Sequence, residues 1–242
     1  QMFDGANAFN QHLSDWDVSN VTDMSYMFRE GHNFSGDLSN WNVSSVTTMR
    51  WMFRNSLNLN QPLNWDVSNV TNMNGLFSGA SKFNQNISEW NTSSVTDMSN
   101  MFDSASAFNQ NIGGWITDSV TYMSYMFSDA IAFNKDIDGW NTLNVTNMSY
   151  MFSNAISFDR DIGSWKVSNV TDMMHMFSMA TIFNQDIGGW NTIKVTDMSY
   201  MFDQASTYNK NIGNWNTSSV INMEGMFRKA ITFNQNIGGW NT

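Results

Sequence analysis

The sequence predicts an α/β repeat solenoid: a stack of about ten 25-residue coils, each pairing a short helix with a short strand on a parallel ladder. Three observations carry that reading. Tryptophan recurs at 16, 41, 65, 90, 115, 140, 165, 190, 215 and 240, every interval being 25 residues except the 24 that end at Trp65. In the first half of each repeat, as in "MSYMFSNA", apolar residues fall at i, i+3, i+4 and i+7 (Met148, Met151, Phe152 and Ala155), one stripe of a helix. In the second half, "FDRDIGSW", Phe158 and Ile162 flank polar residues and predict a strand near 158–162, before a loop carrying Trp165.

The elements follow in order along the repeat V-T-x-M-S-x-M-F-x-x-A-x-x-F-N-Q-x-I-x-x-W-N-x-S-x. Thr146 stands two residues before Met148, where its hydroxyl is placed to cap the first helical turn, and Thr holds that column at 22, 47, 71, 96, 121, 171 and 196 until Ile221 breaks it. The two Met columns supply adaptable core filling and are read as core rather than as a metal or haem feature. Asn recurs at 10, 60, 84, 109, 134, 184, 209 and 234, a column fit for a hydrogen-bonded side-chain ladder along the stack. A 25-residue unit cannot bury its own apolar side chains, so neighbours must do it. Each large side chain so buried contributes about 1.5–3 kcal/mol.

Composition narrows the function. The chain has 242 residues, 41% hydrophobic and 13% charged, with a net charge of −10 from 11 basic and 21 acidic residues. That charge argues against nucleic acid or an anionic membrane as partner. No apolar run reaches the length of a transmembrane helix. Cysteine is absent, which removes disulfides, thiolate nucleophiles and cysteine metal sites. The chain opens at "QMFDGA" and closes at "GGWNT", both mid-repeat, so residues 1–242 read as one continuous array within a longer repeat protein.

The phrases "VTDMSYMF" and "FNQDIGGW", iterated along the whole chain, resemble the BspA-type leucine-rich-repeat surface proteins, especially the 25-residue variety of mycoplasma surface lipoproteins and marine microbes. The resemblance implies a leucine-rich-repeat-like right-handed stack. It also implies exposure at the cell surface or secretion, and a role in adhesion or recognition of a protein or glycan. It supplies no catalytic residues and no ligand. The third coil departs from the pattern: it is one residue short, Leu59 replaces the usual Phe, and Pro62 falls inside the expected strand, which predicts a local bend.

Sites for chemistry are sparse. His12, His32 and His175 fall in three different columns without His or Cys partners nearby, and no nucleotide or zinc signature is present, so no enzyme and no cofactor is expected. Asp136, Asp161 and Asp186, each before Ile, share one column with Asp37, before Leu38, and are the calcium candidates, against the plainer reading of a solvated polar face. The column between the two Met reads Tyr26, Trp51, Gly75, Asn100, Tyr125, Tyr150, His175, Tyr200 and Gly225. On a helix it points away from the core, so Tyr26, Trp51, Tyr125, Tyr150, His175 and Tyr200 form the candidate contact stripe. Asn20, Asn69, Asn144 and Asn169 are glycosylation acceptors if the chain is secreted by a eukaryote. The expected function is non-enzymatic adhesion or protein and glycan recognition, with copies of the chain itself as the other partner class. The alternative is a structural subunit of an extracellular filament or sheath, built by end-to-end or lateral packing.

Overall fold

The computed structural model describes residues 1–241. Successive coils stack in register. Asp23, Thr48, Asn72, Asp97, Tyr122, Asn147, Asp172, Asp197 and Asn222 form a chain of parallel bridges, one residue per coil. The 24-residue step from Thr48 to Asn72 absorbs the short third coil without loss of register.

The helix-plus-strand coil is overturned. Among the described residues there is no helix, and each coil's share of the parallel ladder is a single bridge residue, so the coil is neither α/β nor leucine-rich-repeat-like. The "MSYMFSNA" segment shows why. A helix requires each N–H to bond the carbonyl four residues back. Here Met151 bonds Met148 (3.2 Å), Ser153 bonds Tyr150 (3.1 Å) and Ala155 bonds Phe152 (3.1 Å), all three residues back. The intervening N–H groups of Met148, Tyr150, Phe152 and Asn154 donate instead to the next coil, at Asp172, Met174, Met176 and Ser178 (2.7–3.0 Å). Tyr150 (φ 58°) and Asn154 (φ 55°) occupy the left-handed region, each at the third position of a four-residue turn, as a type II turn demands. The same two positions have positive φ in every coil from Tyr26 and Glu30 to Gly225 and Lys229.

Two consecutive turns starting at 148 and 152 still bury Met148, Met151, Phe152 and Ala155 completely. The predicted core residues are therefore right, although their backbone is not helical. The segment 158–162 is not a strand either. The N–H that follows Phe158 goes to a side chain: Asp159 N–H donates to Asn134 Oδ1 (3.2 Å). That bond belongs to the Asn ladder, in which Asn109, Asn134, Asn184, Asn209 and Asn234 each take the amide oxygen of the coil before, or Asp159's carboxylate (2.9–3.0 Å).

The Thr column does not cap. The Thr146 Oγ1 and N–H both donate to the Thr121 carbonyl of the preceding coil (3.2 and 3.0 Å), as Thr47, Thr71, Thr96, Thr121, Thr171 and Thr196 do in turn. Inside the stack, Phe152 lies on Phe158 (4.1 Å) and on Phe177 of the next coil (5.7 Å). The Trp165 indole N–H reaches the Ile137 carbonyl one coil back (3.2 Å), the acceptor a buried indole needs. The same bond recurs from Trp41 through Trp240.

Candidate functional site

The candidate stripe does face outward, held there by the turns. The φ values of its six aromatic positions lie between 54° and 62°, so each side chain leaves the coil from a left-handed residue, while the Met two residues before it is buried in the core. All six are half-buried. Four of them come together: Tyr125 on Tyr150 (4.3 Å between centroids, 7° between planes), Tyr150 on His175 (4.5 Å, 13°) and His175 on Tyr200 (4.8 Å, 8°). The rings cover one another's faces, and their edges and hydroxyls form the surface. Tyr26 and Trp51 stand apart from this run, beyond Gly75 and Asn100. Each carries a cation on its ring: Arg29 and Arg50 flank Tyr26 (5.0 and 5.8 Å), and Arg54 covers Trp51 (5.0 Å).

Acidic residues border the run. Asp172 and Asp197 occupy adjacent positions of the bridge column, and Asn147 and Asn222 donate to their carboxylates (3.3 and 3.2 Å). Burial pushes the Asp172 carboxyl above its usual range, against the pull of the Met174 N–H, with Asp197 adding repulsion. On the other side Asp103 and Asp203 share a column. Burial also raises Asp103, while the paired guanidinium of Arg228 (2.8 and 2.7 Å) lowers Asp203. Arg228 in turn lies over the Tyr200 ring (5.1 Å), and the Tyr200 hydroxyl donates to Glu224. Desolvation, and then the neighbouring Tyr150, push the Tyr125 phenol up to about 12. Desolvation between two tyrosines favours neutral His175.

The other predicted positions have structural work. The Oδ1 atoms of Asp136, Asp161 and Asp186 accept the N–H two residues on, at Asp138, Gly163 and Gly188 (2.9–3.0 Å). Asn111, Asn211 and Asn236 close the same turn (3.0–3.2 Å), which explains why Asp and Asn alternate in the column. No group of three or more His, Asp or Glu side chains suited to a metal occurs among the described residues. Asn69, Asn144 and Asn169 donate their side-chain amides to carbonyls of the preceding coil (2.7–2.8 Å), so a glycan on that nitrogen would share it with a coil-to-coil bond. Asn20 is exposed. His12 accepts the Asp37 N–H (3.2 Å) and His32 lies 3.3 Å from Glu30, so the three histidines are not brought together.

The pattern missed a set of exposed apolar side chains. Ile131, Ile156, Met179 and Ile182 are each 40–44% exposed on neighbouring coils. Met179 is the second left-handed residue of its coil, and an apolar side chain in that otherwise polar column was the available signal. No helix of the described chain is long and apolar enough to cross a membrane.

A search of the curated proteins finds no match. The model of a family described as mycoplasma proteins of unknown function, DUF285, matches residues 1–64, 63–162 and 151–242, three stretches that together run the length of the chain. The chain belongs to the DUF285 family of mycoplasma repeat proteins.

Proposed function

We propose that the protein is a non-enzymatic recognition module, displayed at a cell surface or secreted, whose stacked run Tyr125, Tyr150, His175 and Tyr200 docks a protein partner. One observation carries this reading. Bulky side chains occupy a left-handed column where Gly75, Asn100 and Gly225 show that smaller residues suffice. A non-glycine residue in that region costs about 1–2 kcal/mol, so the aromatic choice sets side-chain value against backbone ease. Family membership and the likeness to BspA-type surface proteins support the location.

The ring faces are already covered, which suits a flat protein surface better than a sugar laid on an exposed ring. Rigid tyrosine edges with hydroxyls are good protein contacts at low entropic cost. The carboxylates of Asp172 and Asp197 at the border favour a partner with basic residues, whose association weakens as salt screens them.

The test is adherence of the labelled protein to cultured cells. Wild type should adhere, trypsin stripping of the cells should abolish adherence, and glycosidase treatment should leave it. The triple variant Tyr125→Asn, Tyr150→Asn, Tyr200→Asn introduces the residue that coil 5 already carries in this column as Asn100, and should reduce adherence about tenfold. Unchanged adherence with an unaltered melting curve would remove the stripe as the contact site.

A further inference from the structure

The third coil closes differently from every other. Between its aliphatic residue and its tryptophan, Leu63 and Trp65, stands Asn64 alone, where the next coil has both Ser88 and Glu89 between Ile87 and Trp90. Pro62 takes the column that holds Asn86, Asn111 or Asp136 elsewhere, so the side-chain oxygen that would fold the loop is missing. In the flanking coils the tryptophan N–H closes a turn on the carbonyl three residues back, Trp41 on Leu38 and Trp90 on Ile87 (both 3.2 Å); Trp65 makes no such bond. The shortened loop lies beside the full-height loop of coil 4, and the step between them is a recess of about 780 Å³. That is the size of a small-molecule site.

Its walls have a definite chemistry. Pro62, Leu63 and the edges of Trp65 and Trp90 form an apolar floor. The rim carries amides and carboxylates. Asn86 and Asn91 spend their Oδ1 atoms on the N–H groups of Ser88 (3.0 Å) and Ser93 (3.2 Å), which leaves each Nδ2 as a donor. Glu89 receives the Ser88 hydroxyl on one oxygen (3.2 Å) and keeps the other. Asp66 and Glu89 are the charged residues lining the recess, and no lysine or arginine joins them. A sugar ring offers what this arrangement takes: hydroxyls that donate and accept beside C–H surface that wants apolar cover. Two carboxylates without a cation repel phosphates and acidic sugars. A basic peptide would satisfy the carboxylates and leave the amide donors idle.

We infer that the recess between the loops of coils 3 and 4 binds a neutral oligosaccharide of hexose or N-acetylhexosamine units. This site is distinct from the aromatic stripe and rests on a different observation. It is tested by calorimetric titration with maltotriose, cellotriose, mannotriose and chitotriose, alongside sialyllactose and an oligolysine peptide. At least one neutral trisaccharide should bind. Insertion of one glycine after Asn64, which restores the 25-residue coil and fills the step, should weaken binding about tenfold or more. The variant Glu89→Ala, Asn91→Asp, which removes the Nδ2 donor and keeps the Oδ1 that holds the Ser93 N–H, should do the same with an unchanged melting temperature, so the result survives if the insertion misfolds. The tyrosine triple variant should bind sugar as wild type does, which separates failure here from failure of the stripe. Binding of none of the neutral sugars, binding of sialyllactose or oligolysine alone, or neutral binding that persists in both recess variants would overturn the proposal.

Discussion

The Trp51 indole lies against the bare backbone of Gly75 one coil on, in the space a Cβ would need. The Tyr200 ring covers Gly225 in the same way. In both places the ring rests on the next coil, and glycine stands where the ring before it takes the room. Gly75→Ala must displace the Trp51 ring and place a side chain at φ 62°, so it should cost about 1–3 kcal/mol. Gly114, whose Cβ would meet nothing within 4 Å, is the control and should stay within about 0.5 kcal/mol on the same substitution. Urea denaturation of the two variants makes the comparison.

Substitution by glycine separates a turn from a helix. In a helix interior, Met179→Gly would cost roughly 1 kcal/mol. Met179 has a φ of 59° and is exposed, so glycine should relieve left-handed strain and leave stability unchanged or raised by about 0.5 kcal/mol. Phe177→Gly, two residues earlier and fully buried, should cost at least about 3 kcal/mol. A measured loss of 1 kcal/mol or more at Met179 would contradict the turn geometry.

Every coil-to-coil tryptophan bond predicts an orphan carbonyl when broken. Trp140 is 3% exposed and its indole N–H donates to the Ile112 carbonyl (3.1 Å). Trp140→Phe keeps an aromatic ring but loses the donor and part of the volume, and should cost about 2–4 kcal/mol in thermal or chemical unfolding. A cost under 0.5 kcal/mol would mean that the bond contributes nothing.

Asp103 and Asp203 occupy one column and should respond to pH with opposite signs. Burial holds the Asp103 carboxyl above its usual value near 3.8, so the fold prefers it protonated. Its contribution is present below the unfolded value and lost as pH rises through the folded one. Asp103→Asn should therefore raise the melting temperature at pH 7 and leave it little changed at pH 3. Arg228 holds Asp203 below 3.8, so that contribution is present above the unfolded value and lost as pH falls through the folded one. Asp203→Asn should lower the melting temperature at pH 7 and not at acid pH. Melting curves at the two pH values check both signs.

Coil number, register and core were legible in the sequence because they depend on which residues recur, and the tryptophan interval alone sets the register. Conformation was not, because Met148, Met151, Phe152 and Ala155 have the spacing of a helical stripe and equally that of two four-residue turns. The signal that decides between them lies in the outward columns: Gly75, Gly79 and Gly225, with Asn55, Asn100, Asp129 and Asn154, are residues that accept positive φ. Thr146 looked like a helix cap because its partner, the Thr121 carbonyl, lies 25 residues away and not within one turn.

The stripe was partly legible. Its outward direction follows from the column, but the ring-on-ring stacking depends on the distance between coils, which no single repeat encodes. Pro62 and the missing residue were visible at once as a departure. The recess they open was not, since its depth is set by Ser88 and Glu89 on the coil that follows.

The hydrogen bonds described for Thr146, Tyr150 and Trp165 join each coil to the same atoms of its neighbours, one period before or after. Removal of 25 codons between coils of full length therefore joins two cut faces that carry matching donors and acceptors. The product of such a deletion would be a shorter chain whose backbone donors and acceptors still meet at the seam. Exchange across coil 3 is different, because its 24 codons and its proline cannot be traded for a neighbour's without erasing the step beside Glu89. Chain length is open to variation in this molecule, and that one irregular coil is the part recombination cannot copy or delete without consequence.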